Sequence, residues 1–119
     1  KAAIRPNTKM FFIETPTNPM MKVADIHALS EIAKGIGSLT VVDNTFLTPY
    51  FQKPLQLGAD IVTHSSTKYL GGHNDTISGI VVVKDDEEIA EKIQTDKVLE
   101  DDLREQILSV AEEFLGQNK

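Results

Sequence analysis

Four short apolar runs, none of them alternating with polar residues, constrain this 119-residue chain more than any other feature. They are Met10-Phe11-Phe12-Ile13, Leu39-Thr40-Val41-Val42-Asp43, Asp60-Ile61-Val62-Thr63-His64 and Ile77 to Val83. Each is rich in β-branched or aromatic residues and too short for a helix, so each reads as a strand. A strand with one wet face would alternate. A continuous run reads as a strand buried on both faces, which is the habit of parallel sheets covered by helices. Between the first two runs, Ile26, Leu29, Ile32 and Ala33 recur at helical spacing from Ala24 to Lys34, and Gly35 and Gly37 supply stop signals. Turn-forming segments punctuate the rest: Pro6-Asn7-Thr8, Thr15-Pro16-Thr17-Asn18-Pro19 and Asn44 to Pro49. The expected fold class is α/β, a mostly parallel sheet flanked by helices.

Charge divides the chain unevenly. Residues 1 to 84 carry six acids and eight Lys or Arg, whereas residues 85 to 113 carry twelve acids and three. Asp85-Asp86-Glu87-Glu88 is suited to the positive end of a helix dipole, and Ile89, Ala90 and Ile93 continue as an apolar stripe. Leu103, Ile107, Leu108, Ala111, Phe114 and Leu115 then follow helical spacing up to Gly116. With net charge -6 and no basic stripe, the chain is not expected to bind nucleic acid. No apolar run approaches the length of a membrane span and no leader pattern opens the chain, so a cytoplasmic, membrane-free protein is expected. The absence of cysteine excludes a disulfide framework, thiolate metal sites and a cysteine nucleophile.

Ligands of open parallel sheets collect beyond the carboxyl ends of the strands. Those ends are polar here: Glu14 to Asn18 after the first run, Asp43-Asn44-Thr45 after the second, His64-Ser65-Ser66-Thr67-Lys68 after the third. A lysine partly withdrawn from water supplies the neutral amine that attacks an aldehyde to form a Schiff base. Ser65 and Thr67, two residues apart in an extended segment, could both face a phosphate, and Asp43 is suited to hold a protonated ring nitrogen. His64 and His73 lack a third ligand, so no metal site is expected. Gly71-Gly72 follows the lysine instead of preceding it and is not a phosphate loop of the Walker type.

The segments ETPTNP (Glu14 to Pro19), VDNTF (Val42 to Phe46), PLQLGADIVTHSSTKYLGGHND (Pro54 to Asp75) and SGIVVV (Ser78 to Val83) closely resemble the Cys/Met-metabolism family of pyridoxal-phosphate enzymes. That family includes cystathionine γ-synthase, the cystathionine lyases and methionine γ-lyase. The resemblance runs from the first residue to about Ile93. It implies a subdomain of the aspartate-aminotransferase-type large domain, in which the strand after the lysine loop runs antiparallel. It also implies pyridoxal phosphate as cofactor, with Lys68 forming the Schiff base and moving protons, and Asp43 pairing with the pyridine nitrogen. Asn18 would hydrogen-bond the ring hydroxyl, Thr45 would lie beside the ring, and Ser65 and Thr67 would bind the phosphate. Substrates would be sulfur amino acids or homoserine esters, handled by a carbon-sulfur lyase or γ-synthase.

Family members are several times longer, and the phosphate-binding glycine loop, the ring-stacking tyrosine and the substrate-clamping arginine lie outside the segments matched here. The isolated chain is therefore expected to be inactive, and whether it catalyses anything is left open. Residues 1–94 are expected to form the cofactor-binding α/β segment. Residues 95–119 are expected to be an acidic linker and an amphipathic helix of non-family origin, packed on the same domain. The alternative is an engineered or chimeric α/β domain without catalysis. The family assembles as dimers or tetramers with shared sites, so a homo-oligomer is an open expectation, and the Leu103 to Leu115 stripe could serve as an association face.

Overall fold

The computed structural model describes residues 2–85 and residue 87. The chain divides into two compact units, Lys1–Lys84 and Asp85–Lys119, and the description concerns the first. The helices expected from Asp85 and over Leu103 to Leu115, and the linker between them, lie outside the described residues.

The elements run β1 (Met10–Glu14), α1 (Ile26–Lys34), β2 (Leu39–Asp43), α2 (Thr48–Phe51), a 3-10 turn (Pro54–Leu57), β3 (Ile61–Ser65) and β4 (Gly79–Val83). All four expected strands form, in the spatial order β1-β2-β3-β4. β1 and β2 pair in parallel from Met10 opposite Leu39 to Glu14 opposite Asp43, and β2 and β3 in parallel from Val41 opposite Ile61 to Asp43 opposite Thr63. β4 returns antiparallel to β3, with Ile61 opposite Val83 and Ser65 opposite Gly79. The antiparallel return is the one that the family resemblance implies.

α1 starts two residues later than the apolar periodicity suggests, because Asp25 is its cap. The Asp25 side chain accepts from the Ala28 amide at 3.0 Å, satisfying one of the donors that a helix start leaves free. Gly35 closes the helix by donating to Glu31 and Ala33 carbonyls. On the exposed side Lys34 pairs with Glu31 at 3.0 Å, and its hydrogen bond and charge hold the Glu31 carboxyl below its ordinary range. The buried side delivers Ile26 to a core made with Ile13, Val42 and Ala59, with Ala24 and Leu29 packed around it. Apolar burial of this kind is the main force joining α1 to the sheet.

β1 departs from the expectation of burial on both faces. Ile13 is buried under α1, but Phe12, which alternates onto the other face, is 64% exposed. Among the described residues β1 is an edge strand with α1 over one face only, so its continuous apolar run is half used. β4 is the opposite edge, and Ile80, Val81 and Val82 are all exposed. α2 and the 3-10 turn occupy a stretch read from sequence only as a break and a link. No helix among the described residues is long and apolar enough to cross a membrane.

Candidate functional site

Because β1, β2 and β3 are parallel, their carboxyl ends share one edge of the sheet, and the loops that follow them meet there. Strand alternation then sorts the residues by chemistry. Ile13 and Val42 turn toward α1, while Glu14 and Asp43, opposite each other in register, turn to the other face. Thr45 and Ser65 continue that face two residues further along the chain.

A cavity of about 160 Å³ lies at this edge, lined by Glu14, Pro16, Asn18, Asp43, Thr45, Phe46, Ser65 and Lys68. Three loops, separated by up to fifty residues of sequence, thus contribute two carboxylates, an ammonium, an amide and two hydroxyls to one small space. Five of the six residues proposed from the sequence meet in it: Asn18, Asp43, Thr45, Ser65 and Lys68.

Hydrogen bonds hold the strand ends in place. Asp43 Oδ1 accepts from the Thr45 amide at 2.9 Å, and Thr45 Oγ1 accepts from the Ser65 amide at 2.8 Å. The first bond folds β2's exit into a tight turn, and the second ties it to the end of β3. From Ser65 the chain winds through a compact loop in which the Lys68 amide donates to the Ser65 carbonyl at 3.2 Å and the Gly72 amide donates to the Lys68 carbonyl at 2.9 Å. Gly71 allows this winding: a Cβ there would stand 2.7 Å from the Ser66 carbonyl oxygen, closer than any side chain tolerates. Phe46 and Tyr69 pack edge to face beside the loop, with ring centroids 6.2 Å apart.

Two placements differ from the sequence reading. Lys68 reaches the cavity but is exposed, not withdrawn from water, because the described chain supplies nothing that covers the lysine loop. Thr67 does not line the cavity. Its hydroxyl donates to the Ser78 carbonyl at 3.1 Å and accepts from the Ser78 amide at 2.9 Å, pinning the loop to the start of β4. The two histidines have separate settings: His64 is buried in β3, whereas His73 is exposed with Nδ1 2.7 Å from the Gly71 carbonyl. Among the described residues no three His, Cys, Asp or Glu side chains gather as metal ligands would.

Sequence reasoning passed over Asn44 and Gln52. Asn44 is fully buried, and its Nδ2 donates to the Thr48 and Gln52 carbonyls at 3.0 and 2.9 Å. Gln52 Nε2 donates to Asn44 Oδ1 at 2.8 Å and to the Thr15 carbonyl at 3.2 Å. An amide directly after a buried strand is a signal for Asn44. Nothing in the sequence distinguishes Gln52 from a surface glutamine, since its partner Thr15 lies 37 residues away.

Comparison with known proteins assigns the family and the fold. The family model for Cys/Met metabolism PLP-dependent enzymes matches residues 1–109, past Ile93, where the resemblance read from the sequence ends. Cystathionine gamma-lyase of Bacillus subtilis is 65% identical over 80 residues, covering 67% of this chain and 21% of that protein. L-methionine gamma-lyase of Fusobacterium nucleatum is 53% identical over 95 residues, 79% of this chain and 24% of that protein. Among solved structures, cystathionine gamma-lyase from Lactobacillus plantarum, complexed with L-serine, superposes with a TM-score of 0.74 at 52% identity, covering 77% of this chain and 24% of that one. The chain therefore spans about a fifth to a quarter of the length of these relatives. It belongs to the Cys/Met metabolism family of pyridoxal-phosphate-dependent enzymes.

Proposed function

We propose that this family segment carries the lysine-bearing half of a pyridoxal-phosphate site in an enzyme of sulfur amino acid metabolism, a carbon-sulfur lyase or γ-synthase. The observation that carries the reading is the convergence of Lys68, Asp43, Asn18, Thr45 and Ser65 on one cavity. That donor set suits the cofactor. Lys68 offers an amine for the aldehyde, and Asp43 has one oxygen committed to the Thr45 amide, which leaves Oδ2 for a protonated ring nitrogen. Asn18 can donate to a ring hydroxyl, and the Thr45 and Ser65 hydroxyl protons are free for acceptors because the bond between these residues uses the Ser65 amide. Thr67, with its hydroxyl engaged by Ser78, would contribute to the phosphate through its position in the loop.

Pyridoxal phosphate, when bound, supplies an electron sink for a carbanion at the substrate's α-carbon. The chain's own work is narrower. Lys68 Nζ would take and return protons at the edge of the cavity, Asp43 Oδ2 would hold the ring nitrogen, and the Thr45 and Ser65 pair holds the ends of β2 and β3 together through the Ser65 amide. Among the described residues nothing encloses Lys68, and enclosure and substrate positioning make up much of a catalytic rate. The isolated chain is inactive in this reading. A cytoplasmic location and assembly with further copies fit it equally well.

The test is reductive trapping. The chain is incubated with pyridoxal phosphate, reduced with borohydride and digested, and the phosphopyridoxyl mass is located by peptide mass spectrometry. The label concentrates on Lys68 and falls with Asp43→Asn. Equal labelling of all the lysines would overturn the assignment, and release of keto acid or thiol from cystathionine by the isolated chain would overturn the claim of inactivity.

A further inference from the structure

The Asn44 and Gln52 side chains form a closed hydrogen-bond circuit that bridges two walls of the candidate cavity without entering it. Asn44 Nδ2 meets two carbonyl oxygens, which can only accept, so the orientation of its amide is determined. Oδ1 must then accept, and the donor is Gln52 Nε2, whose second hydrogen goes to the Thr15 carbonyl. Both donors of both amides are used, and Asn44 is wholly buried. The Asn44 backbone adds a bond from its amide to the Thr63 carbonyl at 2.9 Å and one from the Thr48 amide to its own carbonyl at 3.0 Å.

The residues joined in this way flank the site. Thr15 lies between Glu14 and Pro16, and Asn44 lies between Asp43 and Thr45, all four of which line the cavity. Thr15 also anchors its own loop, since its hydroxyl accepts from the Ala24 amide at 2.9 Å. We propose that Gln52 is a positioning residue that sets the spacing between the β1 and β2 exits, and so between Asn18 and Asp43 across the cavity. Its relevance to the cofactor rests on the reading given above, whereas its mechanical role does not.

The chemistry of position 52 is specific. Only a side chain of glutamine's length with two amide hydrogens can serve Asn44 Oδ1 and the Thr15 carbonyl together. Methionine fills the same space with no donor. Glutamate has the same shape but, when ionised, turns oxygens toward two acceptors; once protonated it regains a single donor.

Hydrogen exchange on the ligand-free chain tests the mechanical role directly. The amides of Thr17, Met21, Lys22 and Ala24 are hydrogen-bonded within the loop after β1. In Gln52→Met these amides exchange roughly fivefold to tenfold faster than in the wild type, the size expected for losing one or two hydrogen bonds, while the Val42 and Val62 amides change little. Gln52→Glu shows the same acceleration at neutral pH and recovers part of the protection under acid conditions, which a general packing defect would not do. Should Gln52→Met fail to fold, Gln52→Glu compared across pH carries the test alone. Unchanged exchange in the Thr15 to Ala24 loop overturns the proposal whatever the cofactor does. Trapping of pyridoxal phosphate at Lys68 is measured alongside: lower yield in both variants supports the link to the site. Wild-type yield in a variant whose loop has loosened refutes that link, and even labelling of all wild-type lysines refutes the functional reading while exchange still decides the clamp.

Discussion

Thr45→Val isolates a single bond of the site. The valine matches threonine in size and shape, so the substitution opens no cavity and removes only the hydroxyl that accepts from the Ser65 amide at 2.8 Å. A neutral hydrogen bond of this kind contributes about 1 kcal/mol net, and leaving the half-buried Ser65 amide without its acceptor adds to the loss. The expected destabilisation is about 1 to 2 kcal/mol. In a domain of this size it lowers the thermal midpoint by roughly 4 to 8 °C per kcal/mol. The measurement is urea unfolding followed by circular dichroism, with the denaturant slope unchanged if only native stability is affected. Thr45→Ser keeps the oxygen and recovers most of the loss. Because the Ser65 carbonyl accepts from the Lys68 amide, the freed end of β3 also disturbs the lysine loop, and trapping of pyridoxal phosphate at Lys68 falls in Thr45→Val. A Thr45→Val midpoint within about 0.5 kcal/mol of wild type, or equal losses in the serine and valine variants, would refute the view that this hydroxyl fixes the spacing of β2 and β3.

The core and the edges allow further checks. Val42→Ala, at a fully buried position against Ile13, Ile26 and Ala59, costs about 2 to 3 kcal/mol by chemical denaturation, whereas Phe12→Ala, at a largely exposed position, costs under about 1 kcal/mol. Equal costs would mean that Phe12 is covered in solution. Among the described residues β4 is an apolar edge strand, with Val81 59% exposed and no charge between Gly79 and Val83, so the expected outcome is self-association as concentration rises. Val81→Lys reduces that association in light-scattering titrations, and an unchanged concentration dependence would show that another surface is responsible.

The elements were legible in the sequence because their causes are local. Unbroken apolar runs with β-branched residues mark β1 to β4 whatever surrounds them, and Ile26, Leu29, Ile32 and Ala33 at helical spacing mark α1, though not the Asp25 cap that sets its start. The polar residues behind the runs point to Lys68, Asp43, Ser65 and Thr67, and the family resemblance adds Asn18 and Thr45. α2 and the 3-10 turn were not legible, since four-residue elements carry too few positions for a periodic pattern.

Sequence by itself determined which residues could do chemistry here and which could form strands, because both follow from side-chain type and near-neighbour spacing. Tertiary structure decided what those residues meet. Parallel pairing of β1, β2 and β3 brought three loop segments to one cavity, and strand register placed Glu14 beside Asp43. It drew Thr67 away to Ser78, left Phe12 outside the core and assigned Gln52 a partner 37 residues distant. Contacts of that range depend on register and on which faces find cover, and neither is encoded in any short stretch of chain.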